Sequence, residues 1–375
     1  MKWYLFLILI ILCSCTKVNT LETDSSTCSL ETVASFEPHD QVNFLTLIDN
    51  QLAYTTVDNQ TCTGEYRTAV CTSDSKVYLN NEVIAELNKS VNILWDLNDK
   101  VAYKTMTGGE HVLYINKDKI AAYNYIQDVR EIDNKLVFIA SKDLQCGHRD
   151  CSGTYVIVND GVETPVDVRG LMFAKSSTLA YSTSAGNESY MIYKDKKYGP
   201  YRYVEWPVEI NDQIVFSDEN KIYIDGVPLD TDYDHINYLA SVNGRLVYTA
   251  SKGNKSYLVD GNKTSGPYEW ASRFIASGDK IALIERVDGM YYYIYFDDNK
   301  FGPYNSQPLI YDFNNALAYL VKQEEHYRPL GYYTLYYKGC EINIENIKNP
   351  VYYNGNIAYT TKENNKEFVV IKKLL

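Results

Sequence analysis

Histidine is scarce in this sequence, with five in 375 residues. That leaves little material for a histidine-built metal centre. Neither a Gly-x-Ser-x-Gly elbow nor a Gly-x4-Gly-Lys phosphate loop occurs. The local signatures of an α/β hydrolase and of a P-loop nucleotide enzyme are therefore missing. Positive charge is in deficit: Lys and Arg total 36 against 48 Asp and Glu, a formal net charge of −12. A net-acidic surface repels phosphate backbones, so nucleic acid is not an expected partner. No cofactor is expected either. The unbroken apolar run at the N-terminus, residues 3–12, is too short for a bilayer-crossing helix, which needs about 20 residues. Apolar material itself is not scarce. Hydrophobic residues make up 45% of the chain and Tyr alone fills 36 positions, which excludes a disordered chain.

The N-terminus gives an address. Lys2 is the only charge in the first sixteen residues and precedes the apolar run, so residues 1–14 read as a secretory signal. The run ends Leu12-Cys13-Ser14-Cys15, which resembles a prokaryotic lipobox, with Cys13 a departure at its middle position. The resemblance implies cleavage before Cys15 and a lipid on its thiol. The alternative is an ordinary signal cut nearby. Thr16 is not the Asp that favours inner-membrane retention in such proteins. Residues 15–30 are polar and turn-rich and read as a tether, leaving 31–375 as one domain. The expected location is outside the cytoplasm, facing the periplasm or the cell exterior, with the lipid as the only membrane contact.

The cysteines agree with export. Past Cys15 there are six, an even count that suggests disulfides in an exported chain. Cys62 with Cys71, and Cys146 with Cys151, each lie close enough to close one hairpin. Cys28 and Cys340 remain, and their pairing would tie the start of the chain to its end.

A repeat dominates the rest. A short apolar triplet recurs nine times: Leu52-Ala53-Tyr54, Val101-Ala102-Tyr103, Leu136-Val137-Phe138, Leu179-Ala180-Tyr181, Ile214-Val215-Phe216, Leu246-Val247-Tyr248, Ile281-Ala282-Leu283, Leu317-Ala318-Tyr319 and Ile357-Ala358-Tyr359. Most copies follow a turn residue, as at Asn243-Gly244. A second β-branched and aromatic stretch follows, for example Tyr190-Met191-Ile192-Tyr193. Then comes a short element, Gly-Pro-Tyr at 199–201, 266–268 and 302–304, with weaker copies at Ala122-Tyr123 and Asp232-Tyr233. A fourth apolar stretch leads into the next copy. Four short strands per unit cannot bury both faces of their own sheet, whereas units stacked around an axis can. The fold class expected is all-β, a propeller of eight or nine four-stranded blades. The last repeat stops after its third strand, so a strand within residues 29–40 is expected to complete it and close the ring. The triplets, the Tyr-x-Ile-Tyr strands and the Asp-Gly turns resemble the WD-like repeats of TolB-type propellers over residues 43–375.

Several local clusters invite chemistry. Asp230-x-Asp232-x-Asp234-His235 has the look of a cation loop, but His235 and Ser241 stand where a calcium loop needs Gly and Glu. It also aligns with the Gly-Pro-Tyr elements, which makes it a solvent-facing variant of that strand. Cys146-Gly-His148-Arg-Asp-Cys151 reads as half a zinc site or as a disulfide, and export favours the disulfide. Propeller sites draw single residues from several blades, so an enzyme is not excluded by missing local motifs.

Two surfaces are candidate binding sites. Two residues after the repeat Tyr come Tyr125, Tyr203, His235, Trp270 and Ser306, expected to form an arc around the axis. That arc is either a stacking platform or blade-to-blade packing. The loops between second and third strands are long in the first, third and eighth repeats. They carry Tyr66, Arg67, His148, Arg149, Tyr327 and Arg328, residue types that anchor interfaces. The expected function is a non-enzymatic scaffold engaging an envelope or surface protein, with an anionic partner suggested by the arginines. The alternative is a polysaccharide, bound or cleaved in the axial pocket.

Overall fold

A computed structural model describes residues 30–374 other than 50, 64–69, 88, 90, 98–99, 108, 144, 147–150, 167–171, 174–177, 272, 298, 314, 324–331, 338–339, 346 and 354. Every described element is a β-strand. The strands form nine four-stranded antiparallel sheets and one two-stranded hairpin. Each sheet is a blade, with strands lettered A to D outward from the axis. Blades 1 to 8 span 41–87, 91–123, 125–166, 172–201, 205–229, 235–268, 274–304 and 309–345. Blade 9 takes its A, B and C strands from 348–374 and its D strand from Leu30–Ser35. The first repeat forms a full blade, so the ring has nine blades.

The hairpins follow from local chemistry. Asp160-Gly161, Asp225-Gly226 and Asn243-Gly244 hold positive φ at both positions, as do Asn364 and Asn365. That backbone matches the right-handed twist of the flanking strands, and Asn, Asp and Gly adopt it at least cost.

The triplet is strand B of every blade, and its residues divide the packing between two neighbours. The third residue packs towards the preceding blade and the small second residue towards the following one. Tyr54 lies in the cluster between blades 9 and 1, Ala53 in that between blades 1 and 2. Phe216 lies between blades 4 and 5, Val215 between 5 and 6. The described core divides into nine clusters, one at each blade interface. Each blade is thus stable only against its neighbours, because side chains alternate between its two faces.

The Gly-Pro-Tyr elements end strand D and send their Tyr into the next interface. Tyr201 meets Phe216 at 5.0 Å, Tyr268 meets Tyr295 at 5.1 Å, and Tyr304 meets Tyr319 at 5.9 Å with their hydroxyls 3.1 Å apart. The weaker copies do likewise: Tyr123 against Phe138 at 5.9 Å, Tyr233 against Tyr248 at 6.1 Å. Burial and the neighbouring Tyr223 push the Tyr201 hydroxyl pKa up to about 12.

The ring closes at blade 9. Leu30–Ser35 pairs antiparallel with Lys366–Leu374, with Thr32 opposite Lys372. Just beyond, His39 and Glu367 exchange backbone hydrogen bonds of 3.0 and 2.8 Å. The buried Glu367 carboxylate accepts a 2.9 Å bond from the Val42 amide of blade 1. His39 Nδ1 lies 3.0 Å from Asp58 Oδ2. The seam is therefore held by backbone pairing, a buried carboxylate and an apolar cluster.

Candidate functional site

Strands A and C of a blade run opposite to B and D. The B–C turns and the D–A connections therefore emerge on one face of the disc. The long hairpin of blade 1 rises on it, with register continuing to Thr63↔Val70. The two-stranded hairpin of blade 3 rises there too. Within these hairpins Cys62 pairs in register with Cys71, and Cys146 with Cys151. Tyr66, Arg67, His148, Arg149, Tyr327, Arg328, Cys15 and Cys28 lie outside the described residues, as do the side chains of the other named cysteines, Cys340 included.

The D–A connections carry the other candidates. Tyr203 and His235 come together in a cleft of about 450 Å³, which Glu205, Glu219, Asn220 and Asp234 complete. Tyr203 and Glu205 also line an adjoining cleft of about 570 Å³ with Arg202, Ser182, Ser184 and Glu188. Tyr203 is 50% exposed and Trp270, two connections further on, 49% exposed. Ser306 donates a 3.1 Å bond to the Lys322 carbonyl and adds nothing aromatic.

Tyr125 departs from the arc. It is half-buried between blades 2 and 3, with the His111 ring at 5.3 Å and the Tyr155 ring at 6.5 Å. Lys104 Nζ sits 5.5 Å from its ring and 6.0 Å from that of Trp95, and donates a 2.8 Å bond to the Ile126 carbonyl. Desolvation lowers the Lys104 pKa. Burial, then the Lys104 charge, lowers that of His111, whose Nδ1 accepts a 3.1 Å bond from the Ile126 amide. Tyr125 thus belongs to blade packing, one of the two roles the arc allowed.

Most acids on this face hold backbone. Asp218 accepts from the amides of Arg202 and Tyr203 at 3.4 and 3.1 Å. Asp234 accepts from Gly253 at 2.7 Å. Glu285 and Glu269 accept from the amides of Glu269 and Asp288 at 2.9 and 2.8 Å. Arg202 lies 5.5 Å from the Tyr203 ring and donates to Glu219 at 2.5 Å. Asp232 pairs with Lys252. The Asp230–Asp234 run is therefore a clasp on the next blade's turn, and no metal-holding cluster occurs among the described residues. Glu205 alone among the cleft carboxylates has no side-chain partner among the described residues.

A further ring of positions lies three residues beyond the arc. In seven blades the equivalent residues are Phe44, Asp128, Trp206, Tyr238, Leu309 and Asn349 on the innermost strand and Arg273 immediately before it, aligned by the strands' register with the triplets. The next residue in each case, from Leu45 to Pro350, is buried. Of the ring residues themselves, Phe44, Arg273, Leu309 and Asn349 are exposed, and Asp128, Trp206 and Tyr238 are half-buried. Phe44, Asp128, Trp206 and Asn349 have φ of 52°, 53°, 52° and 48° and sit at β-bulges. Bulges re-aim side chains, and a left-handed Phe or Trp is uncommon. Trp206 meets Tyr238 edge-on at 5.0 Å, and Arg273 lies 5.4 and 6.0 Å from their rings. The sequence does hold a signal for this ring, the constant spacing of five residues from Tyr201, Tyr233 and Tyr268 to Trp206, Tyr238 and Arg273.

No family model matches the sequence, and no curated protein does. Among solved structures, the β-propeller domain of the trilobed protease from Pyrococcus furiosus is similar at 13% identity and a TM-score of 0.38, over 84% of this chain and 96% of that one. Apo AztD from Citrobacter koseri is similar at 10% identity and 0.41, over 87% and 100%. The Pyrococcus horikoshii acylaminoacyl peptidase is similar at 12% and 0.38, and the chain spans 59% of its length. Likenesses this distant carry no argument about activity, and the propeller assignment rests on the strand pairings above.

Proposed function

We propose that this chain is a non-enzymatic, TolB-like binding propeller, exported and anchored through Cys15, that engages a protein partner through the face of B–C turns and D–A connections. One observation carries the reading. That face presents two half-exposed aromatic side chains, Tyr203 and Trp270, the first standing where two open clefts adjoin. Exposed aromatics beside clefts are what interface anchors look like. The neighbouring acids support binding over catalysis. Asp218, Asp234 and Glu269 hold backbone amides, and an acid–base pair needs two carboxylates free to exchange protons. Lys2, the apolar run 3–12 and Leu12-Cys13-Ser14-Cys15 support the anchor.

The test is cross-linking in native membranes followed by mass spectrometry, with wild type beside a Tyr203→Ala/Trp270→Ala variant. A reproducible protein partner, depleted about tenfold or more in the variant, is the expected result, since anchor truncations cost about 2 kcal/mol or more. Equal capture by both forms, or none by either, contradicts the site. A polysaccharide is the second reading, favoured by the exposed Tyr203 ring flanked by Glu205 and Asn220. Retention of the purified chain on envelope polysaccharide, without any cross-linked protein, would select it.

A further inference from the structure

The described arginines are not alike. Arg130, Arg202 and Arg245 each face a carboxylate at 2.5–3.2 Å. Arg286 turns its guanidinium onto the Gly289 carbonyl. Arg273 has neither carboxylate nor hydrogen-bond partner among the described residues, although the chain carries an excess of twelve negative charges. Its guanidinium is instead held against the rings of Trp206 and Tyr238. A cation–π contact of this kind uses no N–H group, so the fork stays available to a bidentate anion.

Its surroundings on the innermost strands are apolar and open. Leu309, the equivalent residue of the next blade, is 49% exposed. Phe44, on the axial ring of blade 1, is 37% exposed. The only other charged ring residue described is Asp128, and Arg130 neutralises it at 3.0 Å. Of the seven described ring residues four are therefore apolar or aromatic, Asn349 is polar, and Arg273 carries the one charge without an opposite partner among the described residues.

We infer that the axial mouth is a binding site for an amphipathic anion, a molecule with a carboxylate or sulfonate on an apolar body. The anionic group sits on the Arg273 fork, and the body lies against Trp206, Tyr238 and Leu309. This site is distinct from the protein-binding face at Tyr203 and Trp270 and stands or falls independently of it.

Titration of the full chain with 8-anilinonaphthalene-1-sulfonate tests the inference, read by dye emission and by energy transfer from tryptophan. N-phenyl-1-naphthylamine, the same body without the sulfonate, is run in parallel. Saturable binding near one dye per chain is expected, weakened about tenfold or more in Arg273→Gln and partly restored in Arg273→Lys. Energy transfer from tryptophan should fall in Arg273→Gln in step with the bound sulfonate dye. The neutral dye should bind equally to wild type and Arg273→Gln. Arg273 is exposed, and an unchanged unfolding temperature in the variant excludes a folding effect. Equal sulfonate affinity in wild type and Arg273→Gln overturns the inference, as does binding without saturation.

Discussion

At the residue scale the repeat is a packing device. A small second residue and a bulky third let one strand serve two interfaces, as Ala102 and Tyr103 do on either side of blade 2. That much was legible, because apolar triplets at turn-spaced intervals have no other good use. The role of Tyr125 was not legible. Its position in the repeat matches that of the exposed Tyr203, and only Lys104 and His111, which come from strands of the preceding blade, turn it into packing. That cluster has a consequence for pH. The folded-state pKa of His111 lies below its ordinary value, so the unfolded chain binds the proton more readily. Stability is whole above about pH 6.5 and falls as pH drops below it. Thermal melts of wild type should lose more between about pH 7 and about pH 5 than those of His111→Gln. Parallel curves would show that His111 contributes no linkage.

At the element scale the B, C and D strands could be placed from sequence because their turns announce them. The innermost A strands were legible as the fourth apolar stretch before each triplet, but their bulges were not. Their bulges at Phe44, Asp128 and Trp206 carry no Gly, and their open residues gain meaning only when nine blades share an axis. The B–C hairpins of blades 1 and 3 show the opposite case, where spacing suggested a pairing and register agrees with it. Residues directly opposite in an antiparallel pair have Cα atoms about 4.5–5.5 Å apart, inside the range a disulfide needs. Peptide mapping of unreduced protein should therefore find Cys62 joined to Cys71 and Cys146 to Cys151. Reduction should cost roughly 2–3 kcal/mol for each short loop in the chain-entropy model. Free thiols at these positions, or cross-pairing between the two hairpins, would be the contrary result.

At the scale of the molecule the central feature is closure. Nine interface clusters follow one another around the ring, and the ninth joins Val369 and Ile371 to Val42 and Leu45. The expected N-terminal strand is present, at Leu30–Ser35. Its place as strand D of blade 9 was foreseeable from a final repeat that lacked one strand. The seam chemistry was not, because Glu367 and Val42 are 325 positions apart and nothing local marks them as partners. Closure matters for function. It puts the described D–A connections on one face and the A strands around one axis, which is what makes Tyr203, Trp270 and Arg273 parts of shared surfaces. A cysteine pair placed at Thr32 and Lys372, opposite each other across the closing strands, tests it most directly. Mild oxidation should join the two within one chain, as seen by peptide mapping, and should raise the unfolding temperature. Failure of the pair to form, with folded protein and accessible thiols, would contradict a ring closed by its own N-terminal strand.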